Sequence, residues 1–94
     1  MANRRDPRFR AMYEALPQSV RRRAILAFQQ FRRNPAHPGL RVHQLRNTSG
    51  GSHSPNSVSV SFGSGYRAIY RVDGSDNVWY WIGSHADYDT FTGR

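Results

Sequence analysis

The chain has 94 residues, no cysteine and a formal net charge of +8, from 14 arginines, no lysine and 6 acidic residues. That length fits one domain, residues 1–94, with a thin core, and the composition excludes disulfides, thiolate metal sites and the roughly 18-residue apolar run of a membrane span. The positive excess implies a polyanionic partner, nucleic acid or acidic protein, whereas the missing lysine alone is equally explained by a GC-rich gene.

Residues 1–7 are polar and lack the apolar segment of a secretory signal, so the expected location is cytoplasmic. Asp6-Pro7 predicts a helix start, with Asp6 as N-cap. Phe9, Met12, Tyr13 and Leu16 then share one helical face. Leu16-Pro17 breaks that helix, and a second follows with an apolar stripe of Val20, Ala24, Ala27, Phe28 and Phe31. Arg32 and Arg33 sit in its last turn, and Asn34-Pro35 ends it.

Residues 40–45 alternate as a first strand, with Arg41 and His43 on the same face. Residues 47–56, rich in Ser and Gly, read as a mobile loop. Residues 58–62 form a strand that is apolar on one face and serine on the other. Gly63-Ser64-Gly65 is a hairpin turn. The next strand places Tyr66, Ala68, Tyr70 and Val72 on one face and Arg67, Ile69 and Arg71 on the other. After a turn from Asp73-Gly74, residues 78–82 are apolar on both faces, as in a central covered strand. The expected fold class is α+β: two N-terminal helices packed on one face of a small antiparallel sheet. The opposite serine/arginine face is left open, basic and concave.

Phosphodiester cleavage in RNA needs a base for the 2′-hydroxyl, an acid for the 5′-oxygen and a cation for the charge that builds on phosphorus. Arg67, on the open face, can hold the phosphate. His85, just past the last strand, can be acid or base, since imidazole ordinarily titrates at about 6.5. Tyr88 or Asp87 can orient it; alternatively His85 and Asp87 only cap a strand end and Tyr88 packs on the sheet. His43 is a second candidate for the acid–base pair, or an exposed strand residue. Arg41, Arg46 and Arg71 are candidate RNA contacts. Arg21, Arg22 and Arg23 either bind RNA phosphates or form a solvated helix face. Trp79 and Trp81 are placed on one face and Tyr80 on the other, serving as core or as a base-stacking platform. His37 and His53 lie in loops. No histidine pair has metal-site spacing, and no cofactor motif, phosphate loop, paired carboxylates or serine-nucleophile motif is present, so neither metal nor cofactor is expected.

In order along the chain stand Leu16-Pro17 between two helices, Asn34-Pro35, Gly39-Leu40 before a strand with His43 and Leu45, Gly65-Tyr66-Arg67 with Tyr70, and Gly83-Ser84-His85-Ala86-Asp87-Tyr88. Over roughly residues 8–90 this order and spacing resembles the RelE/ParE superfamily of type II toxin–antitoxin toxins. The resemblance implies an antiparallel sheet with two helices and an antitoxin that wraps the toxin. It implies one of two activities: mRNA cleavage at the ribosome, or poisoning of DNA gyrase. In the nuclease branch, the arginine after Gly-Tyr corresponds to Arg67, the terminal histidine to His85, the following aromatic or acidic residue to Tyr88 or Asp87, and a first-strand histidine to His43. The chain departs from the pattern in its polar N-terminus, where a strand is weak or absent. It also departs in Ser59 and Ser61, where basic residues are usual, and in the short stretch after Tyr88, which leaves little room for a helix. Three functions follow: a metal-independent endoribonuclease with an acidic antitoxin, a gyrase inhibitor that cuts nothing, or a degenerate homologue that only binds antitoxin. His85 and Asp87 favour the first.

Overall fold

The computed structural model describes residues 2–46, 50–63 and 65–93. In chain order they form β1 (Asn3–Arg5), α1 (Pro7–Glu14), α2 (Gln18–Arg33), a 3₁₀ turn (Pro38–Leu40), β2 (His43–Gln44), β3 (Ser57–Phe62), β4 (Tyr66–Asp73), β5 (Asp76–Ser84) and α3 (His85–Thr92). The strands make one sheet in the order β1-β5-β4-β3-β2. β3, β4 and β5 are the expected antiparallel meander, and β1 runs parallel along β5. The class is α+β, as the periodicity predicted.

α1 begins as the sequence suggested: Pro7 opens it and the Asp6 carboxylate accepts the Arg8 N–H at 2.8 Å. The α2 stripe of Val20, Ala24, Ala27, Phe28 and Phe31 lies against Val60, Phe62, Ala68, Tyr70, Trp79 and Ile82. Trp79 is the hub of this layer, with the rings of Phe31 and Tyr70 at centroid distances of 5.3 and 4.8 Å. Burial raises the Tyr70 phenol above its ordinary value.

A strand does form in the polar N-terminus. Asn3 Oδ1 accepts from the Trp79 indole N–H at 3.1 Å and from Asn77 Nδ2 at 3.2 Å, and the Asp6 N–H donates to the Trp79 carbonyl at 2.8 Å. Arg4 adds exposed ion pairs to Asp73 and Asp76. β1 is therefore fixed by polar contacts to β5, for which no apolar pattern is needed.

Four expectations are corrected. The first strand shrinks to His43–Gln44, because Leu40 ends the 3₁₀ turn and Arg41 takes a left-handed conformation at φ 45°. Arg41 and His43 thus do not share a strand. Trp79 and Trp81 are on opposite faces: Ile69 pairs with Trp81 but Tyr70 with Trp79, so Tyr80 is the extra residue of a β-bulge. Trp79 joins the helix-side core, while Tyr80 and Trp81 join Leu45, Ile69 and Tyr88 on the other side. Both indoles are buried, as packing requires. A C-terminal helix, α3, follows β5 directly. It covers the centre of the face expected to be bare, where Ser57, Ser59, Ile69 and Tyr88 are fully buried.

Of the expected loop, residues 47–49 lie outside the described residues, as does Ser64 of the expected hairpin turn. The following segment is tied down. Ser52 N–H donates to the Phe91 carbonyl at 2.7 Å, and Ser54 N–H to the Tyr80 hydroxyl oxygen at 3.0 Å.

Asp6→Ala is expected to cost about 1 kcal/mol in urea denaturation, with Asp6→Asn losing only a fraction of that. The backbone N–H of Arg8, and then its side chain, hold the Asp6 carboxyl below its ordinary 3.8. Its stabilisation is therefore intact above that value and lost as the pH falls through the lowered one, so the Asn variant should be less acid-sensitive than wild type. Tyr80→Phe leaves the Ser54 N–H without its acceptor and should lower stability by about 1–2 kcal/mol, read in the same titration.

Candidate functional site

The cluster forms where β4 begins and β5 ends. Arg67 stands opposite Gly83 in the antiparallel register, two residues before His85, and the His85 backbone N–H donates to the Gly65 carbonyl at 2.7 Å. Ser84 is the N-cap of α3, its Oγ accepting the Asp87 N–H at 3.2 Å. The chain therefore turns from strand to helix at His85, and the imidazole comes over Arg67.

Arg67 Nε donates to His85 Nδ1 at 3.3 Å, and the guanidinium carbon lies 4.8 Å from the centre of the Tyr88 ring. The Tyr88 ring is fully buried and stacks on His85 with centroids 6.1 Å apart. Its hydroxyl meets His43 Nε2 at 3.4 Å, and His43 Nδ1 lies 3.0 Å from the Arg41 carbonyl. A carbonyl only accepts, so the His43 proton is on Nδ1 and Nε2 accepts from Tyr88. Arg67 Nη1 is buried and has no hydrogen-bond partner among the described residues. The structure thus brings together Arg67, His85, Tyr88 and His43 from three elements.

Asp87 is not in the cluster. Its backbone N–H is capped by the Ser84 Oγ, and its side chain is exposed in the first helical turn. Asp89, which the sequence did not single out, takes the place beside the imidazole: Oδ2 lies 3.6 Å from His85 Nε2. The signal was present in Ser84-x-x-Asp87, a helix-start pattern that puts residues 85 and 89 one turn apart.

The candidate RNA contacts divide. Arg71 lies on the cluster's side of the sheet, over the Tyr80 ring at 5.7 Å. Arg41 and Arg46 are exposed beside β2, where the Arg46 carbonyl lies 2.6 Å from His53 Nε2. Arg21, Arg22 and Arg23 are on α2, across the sheet from Arg67; Arg21 donates to the Glu14 carbonyl at 3.1 Å. Ser59 is buried below the cluster, paired with His43 and Ile69, and Ser61 is opposite Arg67. Among the described residues no three His, Asp or Glu side chains converge as metal ligands. A guanidinium with an unsatisfied N–H, two imidazoles and a phenol can bind an oxyanion and move protons beside it.

Among solved structures, the fold superposes on the toxin–antitoxin complex RelBE2 from Mycobacterium tuberculosis with a TM-score of 0.65 and 21% identity, covering 88% of this chain and 95% of that one. YafQ from E. coli gives a TM-score of 0.70 at 10% identity, with coverages of 92% and 94%. The RelB–RelE antitoxin–toxin complex from Methanococcus jannaschii gives 0.67 at 16% identity, with coverages of 94% and 98%. The fold is thus that of the RelE-like toxins. Residues 18–90 match the family described as the ParE-like toxin domain, and no curated protein matches the chain. The chain belongs to the ParE-like toxin family, within the RelE/ParE superfamily of type II toxins.

Gly83 is needed for space. A Cβ there would meet the Trp81 ring at 2.9 Å, and the ring is held by Phe91 stacked at 5.2 Å. Gly83→Ala should lower stability by about 1–3 kcal/mol in urea denaturation, with loss of the Trp81 near-UV signal at lower denaturant.

Proposed function

We propose that this toxin is a metal-independent endoribonuclease that cuts mRNA at the ribosome, with Arg67 as phosphate ligand, His43 and His85 as the proton-handling groups, and Tyr88 orienting the two imidazoles. The observation that carries this reading is the contact of Arg67 with His85 at 3.3 Å beside a buried guanidinium N–H that, among the described residues, has no acceptor. A phosphate oxygen is the acceptor that this N–H fits. A pure binding surface needs no titrating imidazole at that point.

In the proposed reaction the 2′-hydroxyl gives its proton to His43 Nε2, displacing the Tyr88 hydroxyl. The 2′-oxygen bonds to phosphorus, and Arg67 offsets the added negative charge. The bond from phosphorus to the 5′-oxygen breaks, and protonated His85 supplies that oxygen's proton. The products are a 2′,3′-cyclic phosphate and a free 5′-hydroxyl, with His43 protonated and His85 neutral. Arg71, on the same side, would meet a flanking phosphate, and the exposed Arg41 and Arg46 beside β2 are the further phosphate contacts proposed. The partner proposed is an acidic antitoxin, matched to the +8 charge; related folds are seen in toxin–antitoxin complexes. No described helix is long and apolar enough to cross a membrane.

Induction of the protein in growing cells, with mapping of cleavage on ribosome-bound mRNA, tests this. Cuts are expected with wild type. Folded His85→Ala should lower cleavage about 10²–10⁴-fold, and Arg67→Ala about 10²–10³-fold. Growth arrest with intact mRNA and a DNA-damage response would replace this reading with gyrase inhibition. No growth effect would point to the degenerate homologue.

A further inference from the structure

His85 is held from two sides. Arg67 Nε donates to Nδ1 at 3.3 Å, and Asp89 Oδ2 lies 3.6 Å from Nε2. A guanidinium N–H can only donate, so Nδ1 carries the lone pair and the ring proton is on Nε2, facing the carboxylate. The 3.6 Å separation is long for a hydrogen bond and within ion-pair range, and contacts of this kind tighten in the reacting complex. Asp89 Oδ1 is buried and, among the described residues, has no hydrogen-bond partner. No cation but the imidazolium is placed to answer that carboxylate among the described ion pairs. The remaining neighbours of the ring are the Tyr88 phenol from α3 and, through its hydroxyl, His43 from β2.

We propose, resting on the nuclease reading, that Asp89 is the positioning residue of His85. It holds the Nε2 proton, and this makes Nδ1 the nitrogen that exchanges a proton with RNA. In the free protein Arg67 Nε donates to that nitrogen and covers it. A phosphate draws the guanidinium onto itself and uncovers Nδ1. Nδ1 then takes up a proton from water, and the imidazolium so formed keeps Asp89 as its counter-charge. On cleavage the Nδ1 proton passes to the 5′-oxygen, and the Nε2 proton stays in place throughout. Arg67 thus both binds substrate and covers Nδ1 until substrate arrives.

The test pairs ¹⁵N NMR of the histidines with single-turnover cleavage of ribosome-bound mRNA. Wild-type His85 is expected to be the Nε2–H tautomer. In Asp89→Ala the Arg67 Nε–H still donates to Nδ1, so the tautomer is read in the Arg67→Ala background, where adding Asp89→Ala should mix the two tautomers. Asp89→Ala alone should lower the cleavage rate about 10–100-fold at unchanged substrate affinity. Asp89→Asn keeps an acceptor for Nε2–H and loses the charge, so it should retain the tautomer and still cut more slowly; Asp89→Glu should recover part of the rate. An Arg67→Ala/Asp89→Ala protein with the same tautomer as Arg67→Ala, or an Asp89→Ala variant with the wild-type rate, overturns the proposal. A wild type that cuts no RNA, together with a tautomer change on adding Asp89→Ala to Arg67→Ala, supports the hold of Asp89 on His85 and removes the nuclease reading instead.

Discussion

The pairing of β4 with β5 sets both faces of the sheet at once. Arg67 opposite Gly83 and Ile69 opposite Trp81 fix one end of the register, and Tyr70 opposite Trp79 fixes the other. The bulge between them sends Trp79 into the helix-side core, and Tyr80 and Trp81 under α3. A strand of unbroken period two would have put both indoles on one side. One face would then lack its hub, and the other could not seat α3.

The two layers carry different loads. The helix side is an aromatic core around Trp79, ringed by Phe9, Phe28, Phe31 and Tyr70. The α3 side mixes packing with polar groups left partly unanswered: Arg67 Nη1, Asp89 Oδ1 and Ser59 Oγ are buried without partners among the described residues. Each such group costs about 1–3 kcal/mol. The burial of Ile69, Tyr80, Trp81 and Tyr88 beside them offsets this, so the fold tolerates a strained electrostatic corner next to a rigid wall.

Elements with their own local signal were legible. Asp6-Pro7 carries its helix-start signal locally, and the α2 stripe and the alternation of β3 need no partner to be recognised. β1 was not legible, because Asn3 and Arg4 carry no apolar pattern and are held by Trp79, Asn77, Asp73 and Asp76 far along the chain. α3 hid behind its chemistry: Ser84 and Asp87 form a helix start, but beside His85 and Tyr88 they read as parts of a site. For the same reason Asp87 drew attention that belongs to Asp89, since only helical spacing brings residue 89 back to residue 85.

By itself, the sequence determined the α+β class, the meander, the basic balance and the nearness of Arg67 to His85. These follow from periodicity, turn residues and the antiparallel return of two neighbouring strands, all local in the chain. The tertiary structure alone decided which face each tryptophan takes, that α3 covers the serine face, and that Tyr88 joins His43 to the cluster. A bulge shifts the side chains by one residue without any mark in composition. Contacts such as Tyr88 with His43, 45 residues apart, exist only once the sheet has brought its strands side by side.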